Sequence, residues 1–239
     1  MKSISAFFAS GLLLFLFSCN SGEEKKEEPK TDTTTAIAPA PEKPAFSPFK
    51  IVRIRHHVKD YAKWLPFYKG NDSLRMAHGI SQFIIGRGLE DSNTVIIINK
   101  IADVQKAKDF AKLPDLKAVM QKAGVNGQPT FDYSEVIRND NSVIEQKDRL
   151  IVSHHVKDFD AWLKVFDAEA AQRPTYGLID RGLARGIDDP NMVYVVFAIS
   201  DMAKAKARSA SPELKKLMTD AGVDSKPGML FYKIVDMVQ

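Results

Sequence analysis

Two histidine pairs have the clearest chemical reach in this chain. His56-His57 and His154-His155 are each followed by Val-Lys-Asp, an aromatic residue and then Trp64 or Trp162. Imidazole ionises near neutrality, so a histidine on a cavity wall can act as a general base or as a hydrogen-bonding anchor. Adjacent residues of a strand point to opposite faces, so neither pair can hold one ion together. The alternation sorts them. Val52, Ile54 and His56 share one face, as do Leu150, Val152 and His154, and this apolar set suits packing against helices. Arg53, Arg55 and His57 share the other face, as do Ile151, Ser153 and His155. That more polar set would line a space between two sheets. A one-residue bulge would swap the assignment. The cavity or catalytic candidates are therefore His57, His155, Arg53, Arg55 and Ser153, with His56, His154, Arg87 and Arg185 as the second choice. The competing role for the histidines is hydrogen bonding at a strand end. Arg87 and Arg185 each precede an acidic turn, which offers them ion-pair partners or a place at the cavity mouth.

Other chemistry is excluded by what the sequence lacks. Cys19 is the single cysteine, which rules out a disulfide within the chain and a cysteine-based zinc or iron–sulfur site. There is no His-Glu-x-x-His zinc motif and no nucleotide, flavin or haem motif, and Gly86-Arg87-Gly88 is too short for a phosphate loop. The expectation is no metal and no cofactor. Trp64 and Trp162 stand at helical spacing with Leu65 and Leu163 and read as core, while His78 sits in a polar loop before Gly79. Of 239 residues, 44% are apolar and 27% charged, an ordinary globular balance. The net charge of +4 is dispersed, so no nucleic-acid footprint is indicated.

The elements that must position these residues are set out by an internal repeat. His56 meets His154 at an offset of 98, and the match runs without a gap from about Val52 to Pro129. Trp64 meets Trp162, Arg75 meets Arg173, Arg87-Gly88 meets Arg185-Gly186, and Ala123-Gly124-Val125 recurs as Ala221-Gly222-Val223. About a third of the aligned positions are identical. Two copies are too few for a solenoid and suggest a pseudo-dimer.

Each copy reads as a strand at 51–57 or 150–155, then Asp60 or Asp158 as helix N-cap and an amphipathic helix. A second strand follows at 80–87 or 178–185, and a third, continuously apolar, at 95–98 or 193–197. A second helical region begins near Asp103 or Asp201 and restarts at Pro114 or Pro212, and a last strand spans 130–137 or 229–235. The order β-α-β-β-α-β is the ferredoxin-like split unit. The expected fold class is α+β: two tandem ferredoxin-like repeats, at 49–138 and 149–239, pairing their sheets as an intramolecular pseudo-dimeric α/β barrel.

The His-His-Val-Lys-Asp-aromatic-x-x-Trp opening and the Pro-x-Leu-Lys-x-x-Met-x-x-Ala-Gly-Val segment resemble the dimeric α/β-barrel superfamily. That superfamily includes the antibiotic-biosynthesis monooxygenase-like and stress-responsive barrel proteins. The resemblance covers both repeats. It implies either a binder of a small apolar or aromatic molecule or a cofactor-independent monooxygenase- or cyclase-like enzyme with a strand-one histidine as base. Some members bind haem, but their Asn, Trp and His set is not matched here position by position. A structural or interaction module with a filled barrel is the third reading.

The first residues carry an address. Lys2 precedes an apolar run over 4–17 that would span roughly 21 Å as a helix, short of the roughly 30 Å hydrocarbon core. It reads as a secretory signal at 1–18. Leu16, Ser18 and Cys19 resemble the lipobox of bacterial lipoproteins, with Phe17 larger than usual, and the resemblance implies acylation of Cys19. The acidic run at 22–28 resembles the export patch of Bacteroidetes surface lipoproteins. Residues 19–48, rich in Pro, Thr, Glu and Lys, read as a disordered tether. The expected location is the cell envelope, lipid-anchored at the outer membrane, with the bilayer as partner.

Overall fold

The computed structural model describes residues 46–238. The signal at 1–18, Cys19 and the tether up to residue 45 lie outside the described residues, as does Gln239. The elements follow in the order β1 (Phe49–Val58), α1 (Tyr61–Gly70), α2 (Asp72–Ala77), β2 (Ile80–Gly88), β3 (Thr94–Ile101), α3 (Val104–Phe110), α4 (Pro114–Lys122) and β4 (Val125–Asn139). They continue as β5 (Asp148–His155), α5 (Phe159–Ala168), a 3-10 turn (Arg173–Tyr176), β6 (Leu178–Gly186), β7 (Met192–Ile199), α6 (Met202–Ser209), α7 (Pro212–Asp220) and β8 (Gly228–Met237).

Local chemistry starts every helix but α2. Asp60, Asp103, Asp158 and Asp201 each accept a hydrogen bond from the backbone N–H three residues on, at 2.8–3.1 Å. Pro114 and Pro212 open α4 and α7, where a missing N–H costs little. Gly124 and Gly222 follow the helices at φ +80° and +87°, a conformation that lets the chain turn directly into the next segment. Two features differ from the sequence reading. β4 begins at Val125, five residues early, and α2 with its 3-10 counterpart is unanticipated. Both short turns are polar and lack an apolar period of their own.

All strand pairings are antiparallel, and the strands close into a barrel in the order β1-β3-β2-β8-β5-β7-β6-β4. The first four strands in the chain form one half of the barrel and the last four the other. The halves join along β2–β8, from Ile84 opposite Met237 to Gly88 opposite Tyr232, and along β4–β6, from Ser134 opposite Gly186 to Asn139 opposite Gly182. This is a ferredoxin-like α+β architecture with eight antiparallel strands. β7 and the 95–98 stretch of β3 are largely buried on both faces, as their continuous apolar sequences require. One core layer lies inside the barrel, and helices α1–α4 and α5–α7 bury further apolar clusters against the outer faces. No helix among the described residues is long and apolar enough to cross a membrane.

Candidate functional site

The barrel interior is filled. Ile51, Ile96, Ile98, Val136, Ile151 and Tyr194 are each at most 7% exposed, and Tyr232 is wholly buried. An eight-stranded barrel is just wide enough for side chains to fill it, and these branched and aromatic groups do so. The expected space between the sheets is therefore replaced by a packed layer. Arg53 enters this layer, ion-paired to Asp132 at 2.9 Å and 4.2 Å from the Tyr194 ring centroid. Burial pushes the Tyr194 phenol up to about 12.

The other first-choice residues lie toward the barrel ends. Arg55 is exposed, next to a shift in the β1–β4 register. His57 is exposed and its Nε2 lies 3.2 Å from Asp91. His155 Nδ1 lies 2.6 Å from Asp224 and its Nε2 3.4 Å from Asp189, and the hydrogen bond with Asp224 raises its pKa. Ser153 is half-buried opposite Gly228. Arg87 and Arg185 make no close ion pair with the carboxylates of the acidic turns, although, after the hydrogen bonds from Asn93 and Thr94, the Arg87 charge helps hold the Asp91 carboxyl below its usual range. Their Nε groups donate to the turn carbonyls of Ser92 and Pro190, at 2.6 and 2.8 Å, while each guanidinium covers an aromatic ring, Tyr61 or Phe159. None of these residues meets His56 or His154 in one cavity.

The cavities lie on the other side of each sheet, beneath the helices. One, of about 70 Å³, is lined by His56, Trp64, Tyr68, Arg75 and Asn99 among apolar side chains. The second, of about 110 Å³, is lined by their counterparts His154, Trp162, Phe166, Arg173 and Phe197. Strand alternation places both histidines here, and the helix that follows each strand supplies the indole. His56 meets Trp64 edge-on at 5.5 Å between ring centroids, and His154 meets Trp162 at 5.4 Å. Each indole then stacks on the next ring, Tyr68 at 5.1 Å or Phe166 at 5.0 Å.

Both imidazoles are buried, His56 at 6% exposure and His154 at 3%. Among the described residues, neither ring nitrogen of either histidine has a hydrogen-bond partner. Leaving a buried polar group unpaired costs about 1–3 kcal/mol. Burial lowers both pKa values from 6.5 to about 4, so each ring is neutral at pH 7 and offers one donor and one acceptor. The sequence signal for the pair is the tryptophan eight residues after each helix-facing histidine, repeated at the same offset. The indoles are core residues and cavity walls at once.

Cavities of about 70 and 110 Å³ are far smaller than a haem, and the described residues hold no cluster of three or more metal-ligating side chains. His78 packs on Phe110 at 5.1 Å, and its Nδ1 lies 2.9 Å from the Leu74 carbonyl oxygen.

No family model matches this chain, and neither does any curated protein. Solved structures do. A protein from Fusobacterium nucleatum with a provisional monooxygenase assignment aligns with a TM-score of 0.51 and 11% identity, covering 79% of this chain and 94% of that one. An anthrone oxidase-like protein aligns with a TM-score of 0.51 and 13% identity, covering 79% and 92%. A ferredoxin-fold protein from Listeria monocytogenes, described as related to antibiotic biosynthesis monooxygenases, aligns with a TM-score of 0.44 and 12% identity, covering 80% and 98%. At these identities the first two likenesses show a shared fold.

Proposed function

We propose that this chain is a lipid-anchored protein of the cell envelope, placed at the outer membrane, whose fused pseudo-dimeric barrel binds a small apolar or aromatic molecule. The binding places are the two cavities between sheet and helices. The carrying observation is that His56 and His154, at equivalent positions, border apolar cavities and have buried ring nitrogens without partners among the described residues. A molecule with an apolar body and one polar atom would supply the missing partner and fill the space. The cavities suit a small ring or a chain end. Acylation at Cys19 would contribute about 0.8 kcal/mol per buried methylene, and two or more chains hold firmly. The gapless repeat and the barrel order, four strands from each half, support the pseudo-dimer.

The enzyme reading draws less support. A general base works best with a pKa near the operating pH, and His56 and His154 sit near 4. His57 and His155 are held by carboxylates toward the barrel ends, away from either cavity. The packed interior supports the filled-barrel reading for that layer alone.

The test is mass spectrometry of small molecules carried by the protein purified from its own membranes. An apolar compound should accompany the wild type and be lost from the double variant His56→Leu/His154→Leu. No compound in the wild type, or the same compound at equal yield in both, would overturn the reading.

A further inference from the structure

The two ends of the barrel differ in what they show to water. β1, β2, β5 and β6 start at one end, and β3, β4, β7 and β8 finish there. The six large apolar side chains most open to solvent among the described residues are Phe46, Met76, Val143, Val235, Met237 and Val238, at 42–87% exposure. All six stand at this end. Phe46 precedes β1, Met76 lies on α2 just before β2, and Val143 lies in the connection from β4 to β5. Val235 and Met237 close β8, and Val238 follows. These positions are linked rather than scattered. The Phe46 ring meets Phe49 at 6.1 Å and Phe49 meets Phe83 at 5.8 Å, and the Phe83 carbonyl accepts from the Val238 N–H at 2.9 Å. The Ile234 N–H donates to the Lys147 carbonyl at 3.0 Å, which ties the β4–β5 connection to β8. Asp236 pairs at 3.6 Å with Lys69 in the last turn of α1, which ties β8 to the corner that carries Met76. At the opposite end, among the described residues, Leu89 is the exposed large apolar side chain, beside the acid-rich turns at 90–93 and 188–191.

Single exposed apolar residues are ordinary, but a set gathered at one end marks a contact surface. The chain itself indicates what covers it. Residues 20–45 join Cys19 to Phe46, and Phe46 is one of the six, so the chain from the anchor enters the barrel at its apolar end. We infer that this end rests on the lipid bilayer, with its apolar side chains in the boundary between headgroups and acyl chains and the acid-rich turns facing away. This rests on the reading of Cys19 as acylated. Lys50, Glu145 and Lys147 are exposed at the same end, so the surface is amphipathic and suits that boundary rather than the hydrocarbon interior. Weak intrinsic affinity suffices. The anchor makes the contact intramolecular, at an effective concentration set by the length of chain between Cys19 and Phe46. Seated this way, the barrel turns His57 and His155, at its other end, toward water.

The test uses the full acylated chain in vesicles of phosphatidylethanolamine and phosphatidylglycerol. An acylated Cys19 has no free thiol, so Met76→Cys, Val143→Cys, Met237→Cys and Leu89→Cys each give a single position for a fluorescent dye. All four positions are exposed, which keeps the substitutions clear of the core. A share of the lipid carries a nitroxide quencher near the headgroup. Leu89 follows the nine residues of β2, which separate the two ends by roughly 20–30 Å along a tilted strand, so quenching at 76, 143 and 237 should be at least about twice that at 89. The mass of the N-terminal peptide in the same preparation reads the anchor. An acylated chain with equal quenching at all four positions would overturn the seating and leave the anchor in place. An unacylated chain would overturn the anchor and this inference together. Dye self-quenching between copies without lipid quenching would assign the apolar end to a second copy. Shielding from aqueous iodide in native membranes but not in vesicles would assign it to a protein partner. Either result overturns the inference.

Discussion

Gly86 on β2 leaves the space that the ring of Tyr232 on β8 occupies. A Cβ at Gly86 would stand 2.3 Å from Tyr232 Cδ2, and Tyr232 is wholly buried. β2 and β8 form one of the two seams between the halves, so the contact fixes how closely they approach. Gly86→Ala should destabilise the protein by about 1–3 kcal/mol through overpacking. Trimming the ring in Gly86→Ala/Tyr232→Leu should restore part of the loss. Chemical denaturation of the two variants checks this, and an unchanged midpoint in Gly86→Ala would contradict it.

The buried histidines should make the fold acid-labile. The unfolded chain binds a proton on each near pH 6.5, the folded chain only near 4, so the unfolded state holds more protons in that window. Their contribution is complete above about pH 6.5 and fades as the pH falls toward 4, by roughly 3 kcal/mol per histidine. His155 acts in the opposite sense, because its bond with Asp224 raises its pKa, and solvent screens that contribution. Thermal melts from pH 7.5 to 4.5 should show a steep fall in the wild type. His56→Leu/His154→Leu should flatten that fall and be the more stable protein at pH 5. A variant with the wild-type slope would refute the assignment.

Cys19 lies outside the described residues, and its role rests on the sequence alone. Cys19→Ser should leave the protein unprocessed or in the soluble fraction. Membrane association and trimming at the same position in that variant would exclude lipidation as the anchor.

Separating the halves should expose the interior layer. Residues 49–138 would present Ile51, Ile96, Ile98 and Val136 to water, and 149–239 would present Ile151, Tyr194 and Tyr232. If roughly 600 Å² of apolar surface is involved in each, the loss approaches roughly 15 kcal/mol as an upper figure, enough to unfold a domain. Each half expressed alone should therefore pair with itself or fail to fold. Light scattering that found stable monomers of either would contradict the pseudo-dimer.

Local and periodic features were legible in the residues. The aspartate caps, the proline starts and the alternation that turns His56 and His154 toward the helices each depend on a few neighbouring side chains. The cavities were not legible, because their walls come from residues remote in sequence. Asn99 on β3 reaches Tyr68 on α1, and the room beside His56 also depends on α3 and α4. Polarity pointed to Arg53, Arg55 and His57 as cavity groups. It could not show that Tyr194 and Tyr232, from the second half, would fill that interior.

The central claim is that His56 and His154 await a ligand. The most direct measurement is a crystal structure of the protein purified from its native membranes with nothing added. The account predicts density for an apolar molecule beneath Trp64, Trp162 or both, with a polar atom about 2.7–3.2 Å from an imidazole nitrogen. Imidazoles bonded to backbone or ordered water in both halves, with no molecule in either cavity, would contradict it.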